Sequence, residues 1–349
     1  MKKYTFLVVL SVFISCGQVK KDNKDSQTMV NDISNLNIQD INATNVVDYM
    51  AAQVKTYDKH PMYAIRPLQN NCIFTILVNG ELLYKEFTLE KAGTPIMLNS
   101  LILKTGEQTL TYRLYPIGDL MVQEYGKGET VTTLKKNTSM SLKIIRYDDF
   151  KTGRGLSDEI IIAEHTSPLK KGTREFIGAG LPYYEHTITF NAEVPYENAG
   201  WTNGQDLSKF DEEELEAVVK KRNLQIGNLY QNKELDSLVR IEHVNGLMYG
   251  IANYRTKEKF QGIFDRYKED VLKDKEVQPM EGYQMELYGE NRIVTLRYSI
   301  TNPPDPRLQG MPALYYLYKD EYGTLVDFLS LTFYLPKGKA LTPENLQIL

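Results

Sequence analysis

The segment from Cys72 to Phe87 constrains the fold most. Cys72-Ile73-Phe74-Thr75-Ile76-Leu77-Val78 is a short apolar run rich in β-branched and aromatic side chains, which reads as a buried strand. Asn79-Gly80 follows at once. Both residues tolerate the positive φ that a two-residue hairpin turn demands, and together they are the strongest short-range hairpin signal. Leu82 to Phe87 supplies the returning strand. A chain that begins its ordered part this way is committed to antiparallel pairing.

The same rhythm continues. Ile96 to Leu103 follows, then Thr109 to Tyr115 with Leu110, Tyr112 and Leu114 on one face. Thr130 to Thr133 reads as an edge. Ser139 to Tyr147 sets Met140, Leu142 and Ile144 on one side, and Glu159 to Ala163 is a further apolar run. Tyr184 to Val194 alternates His186, Ile188 and Phe190 with Thr187, Thr189 and Asn191. Seven or more short strands with turn signals between them predict an antiparallel β-sandwich.

Pro195 to Gly204 collects Asn198, Gly200 and Asn203 as breakers, and the pattern beyond it turns helical. Ser208 with Asp211 resembles a capping box, and acidic residues fill the first turn from Asp211 to Glu214. Leu215, Val218, Val219, Ile226 and Leu229 form one apolar stripe. Lys233 to about Val244 continues helical. Phe260, Ile263, Phe264, Tyr267 and Val271 form a further stripe. Two hairpins close the chain: 283–288 with 293–300 around Gly289-Glu290-Asn291, and 314–318 with 325–335 around residues 320–323. The expected class is mainly β with α+β: a sandwich over 46–200, then an α+β domain over 201–349 with helices packed on an antiparallel meander. Ahead of the sandwich, Val47, Met50, Ala51 and Val54 share one helical face, which reads as a short amphipathic helix or a leading strand.

The charge is near balance, 41 Lys and Arg against 45 Asp and Glu, so no basic nucleic-acid footprint exists and no nucleic-acid partner is expected. The histidines, His60, His165, His186 and His243, have no ligand partner at helical or hairpin spacing, and there is no cysteine pair, so no metal site is expected. No nucleophile elbow or Walker loop occurs. No catalytic residue and no cofactor is assigned. Glu164-His165-Thr166-Ser167 juxtaposes an acid, a base and hydroxyls, but neighbours on a strand point to opposite faces. Asp148-Asp149 and Asp158-Glu159 lack the calcium-loop frame. Tyrosine is abundant, 24 residues against 12 Phe and 1 Trp. Its densest zone, Tyr183, Tyr184, His186, Tyr196 and Trp201, is the candidate ligand-binding group, on the reasoning that aromatics near a domain junction form grooves. The competing expectation is that they bind the two domains together.

The first residues carry a separate signal. Lys2 and Lys3 precede Tyr4 to Ile14, an 11-residue uncharged run, mostly apolar and too short to cross a bilayer. It ends in Phe13-Ile14-Ser15-Cys16-Gly17. This ending resembles the lipobox of bacterial lipoproteins, most closely the looser Bacteroidota form with Phe in place of Leu. The resemblance covers Met1 to Gly17 only. It implies cleavage before Cys16, diacylglycerol on its thiol and an acylated new amine, with a signal peptide over 1–15. Several acyl chains anchor firmly, since each buried CH₂ contributes roughly 0.8 kcal/mol. The polar stretch through residue 45 then reads as a tether. Lipidation of Cys16 would leave Cys72 as a lone, buried small hydrophobe.

The sequence therefore points to a cell-envelope lipoprotein of the outer membrane, attached to the membrane through Cys16. Its expected role is non-enzymatic binding or scaffolding, with a protein or glycan partner. An immunity or inhibitor lipoprotein that neutralises a toxin is the first alternative. An envelope hydrolase whose site is assembled from distant residues is the second.

Overall fold

The computed structural model describes residues 37–321 and 323–349. The expected Cys16 and the signal peptide over 1–15 lie outside these residues. The described residues are mainly antiparallel β with five α-helices: α1 (Val46–Gln53), α2 (Leu120–Tyr125), α3 (Glu212–Gln231), α4 (Leu235–Ala252) and α5 (Lys257–Val271).

The first domain is a sandwich of two four-stranded antiparallel sheets. One has the order β4 (Ile96–Met97), β1 (Met62–Asn70), β6 (Ser139–Tyr147), β7 (Ile160–Thr166). The other has the order β3 (Glu81–Glu86), β2 (Ile73–Val78), β5 (Gly106–Tyr115), β8 (Tyr184–Ala192). Their facing sides bury Ile65, Phe74, Ile76, Tyr112, Leu142 and Ile144. Asn79 and Gly80 both have positive φ, as the hairpin between β2 and β3 requires. Two expectations fail here. The run 96–103 is a strand only over Ile96–Met97 and then turns in a 3₁₀ segment at Asn99–Leu101, where buried Asn99 bonds the Tyr63 amide and the Pro61 carbonyl. The edge expected at 130–133 reduces to one bridge between Gly118 and Val131.

The strand directions give the sandwich two distinct ends. β1 and β7 finish, and β2, β6 and β8 start, at an end that carries the segments 71–72, 116–138 and 167–183. The opposite end carries Asn79-Gly80, the segment 98–105 and the segment 193–200, and it faces the second domain.

The second domain stacks α3, α4 and α5 with two antiparallel sheets. One sheet has the order β10 (Tyr283–Tyr288), β11 (Ile293–Tyr298), β14 (Thr332–Tyr334), β15 (Gln347–Ile348). The other has the order β13 (Gly323–Phe328), β12 (Tyr315–Asp320), β9 (Lys275–Val277). The single meander expected from the two hairpins is thus divided. β13 ends at Phe328 and the chain crosses to the other sheet, where Thr332 and Phe333 pair with β11. The strand Lys275–Val277 carried too few residues to register as a pattern, yet it completes the second sheet by pairing with β12. α3 is capped by Asp211, whose carboxylate accepts the Glu214 amide at 2.9 Å. Ser208 instead sits in a 3₁₀ turn capped by Asp206, so the expected capping box is a single cap.

The N-terminal helix belongs physically to the second domain's helices, although the sequence grouped it with the sandwich. α1 packs on α4 and α5 through Val46, Val47 and Met50 against Val239 and Phe260. The segment expected to remain a tether through residue 45 is held from Ile41, which is fully buried in the same cluster. The Ala43 amide donates to Asp236. One buried isoleucine in a polar stretch is enough to fix where the chain enters the fold.

The domains interlock. The C-terminal end of α4 inserts Ala252 and, just past it, Tyr254 into the sandwich core. Leu77 and Leu103 meet Trp201, Tyr288 and Ile293 in a separate seam cluster. The hairpin turns touch directly: the Gly289 amide donates to the Gly80 carbonyl at 3.0 Å.

Candidate functional site

A cavity of about 490 Å³ lies at the domain junction. Its walls come from four places: Gln53 and Lys55 at the end of α1, Tyr57 in the segment leading to β1, Lys104 and Thr105 between β4 and β5, and 194–197 leaving β8, closed by Ile251 of α4. Local bonding fixes this arrangement. The Thr105 hydroxyl donates to the Val194 carbonyl and accepts the Val194 amide, both at 2.9 Å. The Asn198 amide donates to the Leu103 carbonyl at 2.7 Å. The linker is therefore stitched to the sandwich rim.

Beneath the cleft lies a tyrosine cluster. The Tyr254 ring stands edge-on to Tyr57, His60 and Tyr196, with centroids 6.1, 5.0 and 5.8 Å away. The hydroxyls are spent internally: Tyr254 donates to the Pro61 carbonyl and Tyr196 to the Asn99 carbonyl, each at 3.0 Å. His60 Nδ1 sits 3.1 Å from the Asp149 carboxylate, and hydrogen bonding from that ring and from the Lys151 amide holds the carboxyl below its usual range, against the opposing effect of burial. Burial raises the Tyr57, Tyr196 and Tyr254 phenols, so they remain neutral donors. The cleft thus offers a half-buried tyrosine face at Tyr57, two exposed ammonium groups at Lys55 and Lys104, the Glu197 carboxylate and amide and hydroxyl groups. Such a wall binds a polar ligand by hydrogen bonds and ring contact.

The five residues singled out in the sequence divide between two places. Tyr196 lines the cleft. Trp201 is buried in the seam, its indole against Gly289. Tyr183, Tyr184 and His186 lie at the start of β8, toward the opposite end of the sandwich. Tyr183 is exposed, donates to Glu185 at 2.6 Å and rests against Tyr115. His186 stacks on His165, centroids 4.9 Å apart and nearly parallel, which joins the open edges of the two sheets. The Tyr112 hydroxyl and His165 Nε2 share a hydrogen bond of 3.0 Å, and Tyr184 packs on Phe176. Burial, then the neighbouring His186, lowers the His165 pKa. Glu164 turns outward to Lys143, so the acid-base run at 164–167 is separated by strand alternation.

The acidic pairs at 148–149 and 158–159 have separate partners. Asp149 meets His60, Asp158 accepts the Gly155 amide, and Glu159 pairs with Arg66 and Tyr147. Among the described residues no group of three or more His, Cys, Asp or Glu is placed to hold a metal ion. Cys72 is buried and its thiol is pushed up to about 12 by desolvation. The carboxyls that burial raises, Glu81 and Glu242, lie in the seam and among the helices and not on the cleft.

Sequence reasoning missed Tyr57, Lys55, Lys104 and Tyr254. They sit in or beside turns with no periodicity, and only the closure of α4 onto the sandwich brings them together. Comparison with protein-family models, with curated proteins and with solved structures finds no match.

Proposed function

We propose that the chain is a membrane-anchored cell-envelope lipoprotein that acts as a non-enzymatic binding module, with its ligand site in the domain-junction cleft. The lipobox-like ending at Ser15-Cys16-Gly17 supports the anchor. The observation that carries the binding role is the cleft itself: a cavity of about 490 Å³ walled by Tyr57 and Tyr196 and flanked by Lys55 and Lys104. A ring face beside ammonium, amide and hydroxyl groups fits an oligosaccharide, most of all one bearing carboxylates. Cys16→Ala moves the protein out of the membrane fraction; retention after washes that strip peripheral proteins defeats the anchor. Calorimetric titration with uronic-acid and neutral oligosaccharides tests the ligand. Tyr57→Ala with Lys104→Glu weakens the acidic sugar at least about tenfold, as expected for losing a ring face and a charged hydrogen bond. Unchanged binding in that variant rejects the cleft.

A second reading, docking on a toxin or other protein, is favoured by one surface. At the sandwich end away from the second domain, Lys135, Lys136, Lys170, Lys171 and Arg174 gather on two loops tied together by the Phe176 amide donating to the Lys136 carbonyl. Glu175 is the one acid among them and pairs with Lys136 and Lys170. Leu169, Ile177 and Leu181 are 51%, 46% and 48% exposed on the same loops. A basic rim around exposed aliphatics suits an acidic protein face. Charge reversal at Lys171 and Arg174 abolishes such docking and spares the cleft.

A further inference from the structure

The seam between the domains encloses a small cavity of about 30 Å³, lined by Lys85 and Arg113 of the sandwich and by Glu286, Tyr288 and Arg297 of the second domain, with Thr75 and Tyr115 beside them. The space has room for a small ion or a few waters and none for a molecule of substrate size.

The charges around it do not cancel. Arg113 is answered by Glu185, Nε to Oε2 2.6 Å. That leaves Lys85 and Arg297 against Glu286, two positive charges to one negative, and Glu286 already accepts the Tyr288 hydroxyl. Arg297 is 8% exposed. One Nη donates to Ser330, and the buried Nε makes no hydrogen bond among the described residues. The Lys85 ammonium donates to the Gly310 carbonyl at 2.8 Å and approaches Met311 Sδ, which leaves a further N–H. Glu81, a further acid close to Arg297, has a buried Oε2 that makes no hydrogen bond among the described residues, and desolvation pushes its carboxyl up to about 8 against the pull of Arg297. A buried cation without a partner is costly, as is a buried N–H without an acceptor.

We infer that the seam binds one monovalent anion of halide size between Arg297 Nε and the Lys85 ammonium. Its charge completes the local count, and an ion of that size fits the cavity. The ion would tie the sandwich to the second domain, since its ligands come from both. This site is separate from the junction cleft and does not depend on the role proposed for it.

Bromide is the probe. The full-length protein is melted in sodium bromide and in sodium gluconate, whose anion is too large to enter, at equal ionic strength. The midpoint rises saturably with bromide and not with gluconate. Arg297→Gln raises the half-saturating bromide concentration at least tenfold. Glu286→Gln, which removes the competing negative charge, lowers it, and this variant keeps the test open if Arg297→Gln fails to fold. Anomalous diffraction from crystals grown in bromide places a peak between Arg297 and Lys85. Equal midpoints in the two salts, an unchanged bromide response in Arg297→Gln, or a seam without a bromide peak overturns the inference.

Discussion

Lys275 shows how a charge becomes part of the core. Its side chain is 1% exposed and lies between the Tyr230 and Tyr316 rings, 5.2 and 5.1 Å from the centroids. Its ammonium pairs with Asp270 at the end of α5 and with Asp327 of β13 at 3.1 Å. One residue thus connects helix, strand and aromatic wall. Removing one partner of a buried ion pair destabilises strongly, about 3–5 kcal/mol, and the part-exposed aspartates recover some of that from water. Lys275→Met is expected to lose about 2–3 kcal/mol in denaturant unfolding. A loss below about 0.5 kcal/mol would mean that the cage is only packing. Nothing in the local sequence marks this lysine, which reads as one of many surface cations around 268–275. Cys72, by contrast, was legible as a buried hydrophobe because it heads an apolar strand.

At the scale of elements, the two hairpin turns also form a contact between the domains. Gly80 has φ +80°, and a Cβ there would lie 2.9 Å from the Gly289 Cα. Gly289 has φ +54°, and its own Cβ would strike the Trp201 indole. The turn chemistry that made Asn79-Gly80 readable is local; the close approach that forbids a side chain is not. Gly80→Ala therefore combines backbone strain with a steric push between the domains. It is expected to cost about 1–3 kcal/mol and to open the linker near 195–204 to proteolysis. Gly93→Ala, where nothing lies within 4 Å, is the neutral control. If both variants melt and digest alike, the turn-to-turn contact carries no docking energy. The helices tell the same story. The apolar spacing around Val47 and Met50 left a helix or a leading strand open; the structure makes it α1, and whether it would cover the sandwich or the helices depended on Ile41 and on Val239 and Phe260 far along the chain.

Across the whole molecule the seam couples domain docking to pH. Glu81 is raised to about 8 in the folded protein and has an ordinary carboxyl value when unfolded. The unfolded chain therefore releases this proton first, so the contribution of Glu81 to stability falls as pH rises from about 4.5 to about 8. Lys85, lowered to about 8 by burial and then by Arg297, acts in the window above that, where its penalty is relieved as pH rises. His165 has the opposite sign to Glu81, since its lowered pKa costs stability as pH falls below its ordinary value. Glu81→Gln is expected to flatten the decline between pH 5 and 8, an effect of order a few kcal/mol. Parallel stability curves for the variant and the wild type would show that Glu81 is hydrated and not part of a dry seam.

The sequence by itself determined most of the long strands, the Asn79-Gly80 turn, the helical stripes and the order of a sandwich before an α+β domain, and it missed short pieces such as Lys275–Val277. These depend on the period of apolar residues and on the backbone freedom of a few residues, both of which are local. Tertiary structure alone decided which sheet each C-terminal hairpin joined, where α1 packed, and which tyrosines faced a cavity. Tyr196 and Trp201 are five residues apart, yet one lines the cleft and the other fills the seam. Charge balance inside the seam is likewise a sum over Lys85, Arg113, Glu286 and Arg297, brought together across about two hundred residues of sequence, and short-range pattern carries no information about such sums.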